Sequence, residues 1–414
     1  MRRVAIVGAG QSSLLLGCDL LRHGYDVTTY SDRTADDIRR QPMASAPFMF
    51  GRALDYEREL GLNFWDDEDS WFRSVEMDFL VAPGNAVAKL AGELERPGQV
   101  VDQRRKYSRW MDEYERRGGK LETRAASLSD LERLAEENDL VTVAAGKFAG
   151  LTDVFTIDEG RCLYTSPPRK LTMLTVKGLK PARLRSVTLS AADGEILRGV
   201  AFRNDEGAEC FNIIFEARPG TSMDRLLADV SNADDVVRRA KEVFHEFVPW
   251  DDENVQSIEL ANPRSWVQMS ILPVVRNPVG KLPSGRQVFG IGDIVITNDP
   301  VGAQGANLAA RMARFLAGRI VERASEPFDT EWMQQQSDDF WEEDARYSYT
   351  LSSMLLDVTE PCKELMLAAT TSQAIADEFL AAFDNPQTLW PWIEGVTGVQ
   401  EHVSEMLDRA ATAE

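Results

Sequence analysis

Residues 4–13 read Val-Ala-Ile-Val-Gly-Ala-Gly-Gln-Ser-Ser, and this stretch decides the fold. Its four apolar residues predict a short buried strand, and the apolar residues from Leu14 to Leu21 predict a helix. Gly24 closes that helix, and residues 26–30 have the pattern of a second strand. A Gly-x-Gly-x-x-Ser turn between a strand and a helix is typical of proteins that bind an adenine dinucleotide.

The small residues of this turn each have a physical role. Gly8 permits the tight turn, and Gly10 lets a pyrophosphate approach the backbone. Ser13 replaces the usual third Gly or Ala but is small enough for the helix to pack on the strand. Gln11 and Ser12 lie at the predicted helix start, where free N–H groups favour an anion.

The ribose-binding position follows from the same motif. Counted from Gly8, the expected residue is Ser31, and the acid Asp32 and the base Arg33 come directly after it. The acid is therefore displaced by one position from the usual motif.

A second glycine-rich stretch, residues 292–307, reads Gly-Asp-Ile-Val-Ile-Thr-Asn-Asp-Pro-Val-Gly-Ala-Gln-Gly-Ala-Asn. A strand pattern at residues 287–291 precedes it, and helical spacing begins at Leu308. The start of that helix would offer N–H groups and a positive dipole end to an electron-rich ligand. An ordinary strand–loop–helix connection without a ligand would give the same pattern. The dinucleotide motif at residues 8–13 is the reason to interpret this stretch as a binding site.

The composition excludes several classes of function. The 414-residue chain has a net charge of −21 and a pI near 4.7, which argues against nucleic acid and anionic membranes as partners. No apolar run approaches the ~18 residues of a membrane span, and no signal peptide pattern is present. Four cysteines without paired spacing predict a cytoplasmic protein, and three scattered histidines predict no metal site.

The middle and the end of the chain predict further layers. Strand patterns at residues 171–176, 185–189, 196–203 and 210–215, the last three joined by hairpin signals, predict an antiparallel sheet in a second domain. Beyond Pro327 the pattern is helical. We expect a discontinuous first domain that comprises residues 1–45, 100–165 and 285–325. The second domain would comprise residues 46–99 and 166–284, and the helical C-terminal region residues 326–414.

Residues 41–50 form an apolar, irregular segment between the two expected domains. They contain the candidate substrate-pocket residues Ser45, Pro47, Phe48 and Met49. A pocket wall and ordinary core packing explain such residues equally well.

Residues 4–13, 139–146 and 292–307 together resemble the FAD-binding fold of flavoprotein aromatic hydroxylases. Within that group the chain is similar to styrene and indole monooxygenases, which are two-component FAD-dependent epoxidases, also at residues 117–120 and 376–379. The resemblance implies an α/β fold in which a Rossmann-like FAD-binding domain of the aromatic-hydroxylase type joins an antiparallel-sheet substrate domain and a helical C-terminal region.

The resemblance also implies the residues at the cofactor. Arg104 would reach the FAD phosphates, and Asp293 would bind the ribityl chain or the pyrophosphate. The turn from Pro300 to Asn307 would lie against the isoalloxazine. The full expected set is Gly8, Gly10, Gln11, Ser12, Ser13, Ser31, Asp32, Arg33, Arg104, Gly146, Asp293, Pro300, Gly302, Gly305, Ala306 and Asn307.

The segment Ser45-Ala46-Pro47-Phe48-Met49 resembles the Ser-x-Gln-x-Met of the indole branch, with Pro47 in place of Gln. The resemblance implies the oxygenase component of a two-component system that oxygenates an indole or aryl alkene through a flavin C4a-hydroperoxide. Its partners would be an NAD(P)H-dependent flavin reductase, O2 and a small aromatic substrate. The sequence assigns no catalytic residue and leaves a homodimer open.

Three other functions fit parts of the sequence. One is a single-component FAD/NAD(P)H phenolic hydroxylase, since many such enzymes also lack a second nucleotide motif. A halogenase would explain the Trp-Pro-Trp-Ile run at residues 390–393, although a packed aromatic turn explains it too. A non-catalytic binding protein could retain the fold, but the intact glycine pattern argues against it.

Overall fold

The computed structural model describes residues 2–42, 47–144, 150–180, 186–204, 206–390 and 392–413. Its strands are β1 Arg3–Val7, β2 Asp26–Ser31, β3 Phe48–Met49, β4 Trp71–Ala82, β5 Asn85–Val100, β6 Lys120–Thr123, β7 Leu140–Val143, β8 Lys170–Lys177, β9 Ser186–Ser190, β10 Gly194–Arg198, β11 Phe202–Arg203, β12 Glu209–Ala217, β13 Glu259–Leu260, β14 Trp266–Ser270, β15 Val274–Val275, β16 Val279–Lys281, β17 Gln287–Gly290 and β18 Ile296–Thr297. Its helices are α1 Gln11–Arg22, α2 Ala35–Arg40, α3 Gly51–Glu59, α4 Gln103–Arg116, α5 Leu128–Glu137, α6 Ser222–Leu226, α7 Ala233–Phe247, α8 Asp252–Val255, α9 Gln304–Glu322, α10 Thr330–Phe340, α11 Arg346–Leu356, α12 Glu360–Ala369, α13 Gln373–Asp384 and α14 Val396–Ala413.

The first sheet has the order β16-β17-β7-β1-β2-β6. All of its neighbouring strands are parallel except the antiparallel pair β16–β17. Strands β1 and β7 are almost fully apolar and buried, as expected of a parallel sheet covered on both faces. Helices α1 and α9 pack against each other beside this sheet. The predicted α/β fold is confirmed, because its separate pieces of sequence meet here.

The second sheet has ten strands along the order β13-β8-β12-β10-β9-β4-β5-β3, with β11 and β14 paired beside that path. The predicted antiparallel strands are confirmed in β8, β12, β10 and β9. However, β9 pairs with β4 in parallel, so the sheet as a whole is mixed. The sequence did not reveal β5, the second strand of the long β4–β5 hairpin, because polar residues interrupt the alternation of its apolar residues.

The expected helical C-terminal region is confirmed by α10 to α14. Helices α11 to α13 pack with the β4–β5 hairpin into one apolar core, and α13 lies directly on β5. Among the described residues no helix is long and apolar enough to cross a membrane. The four cysteines are all free thiols.

A buried ion pair joins helices α3 and α4. The Nζ atom of Lys106 lies 2.7 and 2.8 Å from the two carboxylate oxygens of Glu57, and both side chains are almost fully buried. The Nε2 atom of Gln11 donates to the same carboxylate at 2.9 Å. The pair therefore fixes the orientation of Gln11 at the start of α1.

Removing one member of this pair is expected to destabilise the fold strongly. Lys106→Met should lower the free energy of unfolding by about 3–5 kcal/mol, because it leaves the Glu57 carboxylate buried without a cation. Urea unfolding measures the change. The double variant Lys106→Met, Glu57→Leu is the matched control and should recover much of the loss. Wild-type stability in the single variant would contradict this assignment.

Candidate functional site

A groove of about 680 Å³ lies at the carboxyl ends of β1, β2 and β17. Ten of the residues predicted at the cofactor line it together, although they come from both ends of the chain. They are Gly8, Gly10, Gln11, Ser12, Ser31, Asp32, Arg33, Asp293, Gly305 and Ala306. Tyr107 of α4 and Arg124 also line the groove, and no sequence motif pointed to them.

Two long helices begin at this groove without a capping side chain. The N-cap of α1 is Gly10 and that of α9 is Ala303, and neither helix has an acidic residue in its first turn. Ala303 adopts the left-handed conformation, with φ of 51°. The first N–H groups of both helices are therefore left for a ligand, and both dipoles favour negative charge in the groove.

Glycines bring the backbone to the surface of the groove. A Cβ atom added at Gly10 or Gly305 would meet no atom within 4 Å, so both positions are open to a bound group. Gly8 has φ of 115° and Gly292 has φ of 68°, conformations that favour glycine. A Cβ at Gly292 would also approach Ser12 Oγ to 2.7 Å. An open backbone between two uncapped helices fits an elongated, phosphate-bearing dinucleotide.

Asp32, the acid expected to bind the ribose, lies at the end of the groove next to β2. Ser31 Oγ donates to the carbonyl of Arg33 at 2.6 Å, so Ser31 shapes the loop itself. The Asp32 side chain is 60% exposed and lies 3.2 Å from Nε of Arg33. Asp32 is thus the acid that a ribose hydroxyl can reach at this end.

The middle of the groove combines Asp293 with a buried phenol. Asp293 is exposed at the groove, and its backbone carbonyl accepts a hydrogen bond from Thr297 Oγ1 at 2.7 Å. Burial, and then the negative charge of Asp293, raise the pKa of Tyr107. Tyr107 therefore stays a neutral hydrogen-bond donor beside the carboxylate.

An apolar cavity lies on the other side of the segment that links Asp299 to Gly305, which we call the 299–305 turn. Val301 and Ala303 face this cavity, whereas Gly305 faces the groove. Its other walls come from β3 to β5, β9, β10 and α13. The remaining lining residues are Phe48, Phe50, Phe72, Val75, Met77, Leu94, Ser186, Val187, Leu197, Arg198, Leu380 and Phe383.

Arg198 is the charged residue in this lining, and its charge is balanced. Its guanidinium pairs with Asp251 and lies 3.8 Å from a carboxylate oxygen of Asp78, and it donates to Thr188 Oγ1 at 3.1 Å. Among the described residues, the lining contains no histidine and no carboxylate. The cavity thus suits an apolar molecule and offers no base to ionise it.

Comparisons with known proteins agree with this architecture. Residues 146–254 match the family model described as "Styrene monooxygenase A putative substrate binding domain". A styrene monooxygenase of a Pseudomonas species is 29% identical over 402 residues, which is 94% of each chain. The chain is therefore similar to styrene monooxygenases along nearly its whole length. This similarity supports the predicted FAD cofactor and the predicted monooxygenase class.

Solved structures share the fold of this chain at low sequence identity. A flavoprotein/dehydrogenase from Cytophaga hutchinsonii aligns with a TM-score of 0.68 and 10% identity, over 99% of both chains. The p-nitrophenol 4-monooxygenase of Pseudomonas putida aligns with a TM-score of 0.61 and 14% identity, over 93% of this chain and 99% of that one. The predicted aromatic-hydroxylase type of fold is therefore confirmed.

Some residues that the family resemblance predicted at FAD do not line the groove. Arg104 is buried, donates to the Asp102 carboxylate at 2.7 Å and contacts the carbonyl of Gln41 at 3.3 Å. Ser13 is buried beneath the groove, and Pro300 is only partly buried beside it. Gly302 faces Ser352, since a Cβ at Gly302 would meet Ser352 Oγ at 2.5 Å. Gly146 and Ser45 lie outside the described residues.

Asn307 makes contacts that link the groove to the cavity wall. Its Oδ1 atom accepts from the N–H of Phe50 at 2.8 Å, and its Nδ2 atom donates to the carbonyl of Phe48 at 2.7 Å. Nδ2 also donates to the carbonyl of Ala303 at 2.7 Å. This fully buried amide therefore clamps the strand of the cavity wall to the start of α9, a role that the motif did not reveal.

The candidate pocket residues divide between two faces of β3. Phe48 and Phe50 face the cavity, whereas Met49 is fully buried in the apolar core around the first sheet. Alternation along a strand explains this split. Pro47 lies just before β3 and does not line the cavity.

The aromatic run near the C-terminus lies away from both sites. Trp392 stacks on His402 with ring centroids 4.0 Å apart, and Trp390 packs edge-on against Tyr347. Neither tryptophan lines the groove or the cavity. Among the described residues no cluster of His, Cys, Asp or Glu could hold a metal ion.

Asp293→Ala is expected to weaken FAD binding at least about tenfold, because it removes a hydrogen-bonding carboxylate from the middle of the groove. Titration of the apoprotein with oxidised FAD, followed by flavin fluorescence, measures the dissociation constant. Asp67→Ala, which changes an exposed acid away from the groove, is the matched control. Unchanged FAD affinity in Asp293→Ala would refute the role of this carboxylate.

Proposed function

We propose that this protein is the oxygenase component of a two-component flavin monooxygenase that oxygenates an indole or aryl-alkene substrate. The observation that carries the proposal is the placement of an apolar cavity and a dinucleotide groove on opposite sides of the 299–305 turn. Reduced FAD, when bound, supplies an electrophilic oxygen atom derived from O2. Transfer to a carbon–carbon double bond needs no base from the protein.

The protein would stabilise the reduced flavin through the start of α9. Gly305 and Ala306 present the N-terminal backbone of a 19-residue helix to the groove. The dipole and the first N–H groups stabilise negative charge, which a reduced flavin carries when it is deprotonated. We therefore place the isoalloxazine ring against the 299–305 turn, with the adenosine end at Asp32.

The cavity would exclude water and hold the substrate. Its walls are mainly Phe, Val, Leu and Met side chains, so an aromatic hydrocarbon or indole loses little hydration on entry. The free volume is about 50 Å³, below the several hundred Å³ typical of ligand pockets. Entry of a substrate therefore requires wall side chains such as Phe48 and Phe383 to move apart.

The indole branch is our preferred assignment for the substrate. It rests on the sequence similarity at residues 45–49, and Phe48 is the described residue of that segment that lines the cavity. Phe48 packs edge-on against Phe72 with centroids 4.9 Å apart, which forms an aromatic wall for a flat bicyclic ring.

A separate NAD(P)H-dependent flavin reductase would supply the reduced FAD. The sequence has one dinucleotide motif, at residues 8–13, and no second motif for a nicotinamide cofactor. The groove at that motif is the one that we assign to FAD. Many single-component hydroxylases also lack a second motif, so the support for a separate reductase comes from the similarity to styrene monooxygenases.

Chemically reduced FAD, O2 and either indole or styrene, added in parallel to the purified protein, test this function. We expect indigo from indole and little styrene oxide from styrene, because the sequence of residues 45–49 resembles the indole branch. Gas chromatography and indigo absorbance measure the products. Styrene oxide as the main product would contradict the branch, and no product from either would contradict this substrate class.

The rate of NADH oxidation in the absence of a reductase tests whether this protein needs a separate reductase. The protein with oxidised FAD and NADH, but without a reductase, should oxidise NADH no faster than free FAD does. Absorbance of NADH records the rate. Rapid NADH oxidation would instead favour a single-component phenolic hydroxylase.

Phe48→Ala is expected to lower kcat/KM for indole about tenfold and to favour ring-substituted indoles, because it enlarges the aromatic wall of the cavity. Steady-state kinetics with reduced FAD measure kcat/KM for indole and for ring-substituted indoles. Met49→Ala is the matched control. It should lower stability without changing the ratio of kcat/KM for indole to kcat/KM for ring-substituted indoles, since Met49 faces the core. An unchanged preference in Phe48→Ala would contradict the cavity as the substrate site.

A further inference from the structure

A buried cluster of acids lies behind the 299–305 turn, outside the groove and the cavity. Glu216 of β12, Glu195 of β10 and Asp299 of the turn are each at most 3% exposed. Glu195 is directly opposite Glu216 in the antiparallel pairing of the two strands. The cation within this cluster is Arg169, which is fully buried.

The guanidinium of Arg169 is occupied by one of the three acids. Its Nε and Nη2 atoms lie 2.7 and 2.9 Å from the two carboxylate oxygens of Glu195, and Nη2 also donates to the carbonyl of Leu356. The bidentate geometry leaves Arg169 to act on Glu216 only through its charge. One cation thus faces three buried carboxyl groups.

Glu216 has no hydrogen-bond donor among the described residues. Both of its carboxylate oxygens are buried and accept no hydrogen bond, and the carboxyl group lies within hydrogen-bonding reach of Asp299. Two carboxylates cannot bond to each other, because each only accepts. A single proton on Glu216 resolves this conflict, since the neutral acid can donate to Asp299.

The charges around Glu216 act in the same direction. Burial raises the pKa of Glu216 well above its ordinary value of 4.5, and the nearby Asp299 and Glu195 raise the pKa further, against a smaller opposing effect of Arg169. Burial also raises the pKa of Glu195 to about 7, although Arg169 and Arg218 oppose the rise. Of the two glutamates, Glu216 is the one without a cation partner and therefore the one that keeps its proton.

Asp299 transmits this contact to the turn. Its Oδ1 atom accepts from the N–H of Val301 at 3.0 Å and so caps the short 3-10 segment Pro300–Gly302. Val301 and Ala303 then reach the cavity, and Gly305 reaches the groove. A contact at Asp299 therefore sets the position of both faces of the turn.

We infer that Glu216 is a positioning residue, which as a neutral acid donates a hydrogen bond to Asp299 and so fixes the 299–305 turn for the flavin. The second sheet, which forms the cavity floor, holds the cofactor turn of the first domain through this bond. The inference rests on the proposed place of the isoalloxazine at the turn. It assigns no chemical step to Glu216.

The FAD affinity of three variants tests the donated bond. Glu216→Gln retains a neutral donor and should bind FAD within about twofold of the wild type, whereas Glu216→Leu should bind about tenfold more weakly. Phe215→Leu, on the other face of β12, is the matched control: it should lose stability but keep its FAD affinity. Wild-type affinity in Glu216→Leu, or equal weakening in the Gln and Leu variants, would overturn the inference.

The proton on Glu216 has a test that needs no ligand. In the unfolded chain Glu216 ionises near pH 4.5, whereas the folded protein keeps the proton to higher pH. The folded state then binds more protons, so its stability falls as pH rises above 4.5. Glu216→Gln lacks this contribution, and its melting temperature should fall less than that of the wild type between pH 5 and pH 8. Parallel profiles would overturn the inference, while a wild type that binds no FAD would contradict the proposed function instead.

Discussion

The start of two helices at one groove is the constraint on which the rest of the structure depends. Helices α1 and α9 pack together, and both begin without a capping side chain at the carboxyl ends of the first sheet. Their unpaired N–H groups and dipoles need a negatively charged ligand or water. Gly10 and Gly305 keep the backbone open, so the ligand can reach both helix ends. Stability and cofactor binding are therefore linked at this point.

The second consequence concerns the boundary between the two sheets. The 299–305 turn has the groove on one side and the apolar cavity on the other, so the proposed oxidant and substrate sites meet at this one short segment. Asn307 binds the turn to β3, and Glu216 approaches it from β12. These two buried polar side chains connect the 299–305 turn and α9 with strands of the second sheet. Such contacts let the turn adopt one position rather than several.

Local motifs made much of this site predictable from the sequence. Residues 8–13 and 292–307 carry turns whose glycines have a fixed geometric role, so seven of the expected cofactor residues could be placed there. Counting from Gly8 placed three more, at residues 31–33. The cavity was not predictable in the same way, because Phe72, Leu197 and Phe383 come from distant elements and look like core residues. Arg104 and Asn307 were placed by analogy, and the structure gives their side chains protein partners. Glu216 has no local signal, since its role depends on a neighbour far along the chain.

A crystal structure of the protein with bound FAD tests the central claim most directly. The account predicts the pyrophosphate at Gly10, the ribose at Asp32, and the isoalloxazine ring against the 299–305 turn with one face towards the apolar cavity. Phe48 and Val301 should then lie within contact distance of that face. An isoalloxazine that lies outside the groove, or that is separated from the cavity by the turn and has no opening to it, would contradict the claim that this cavity receives the substrate.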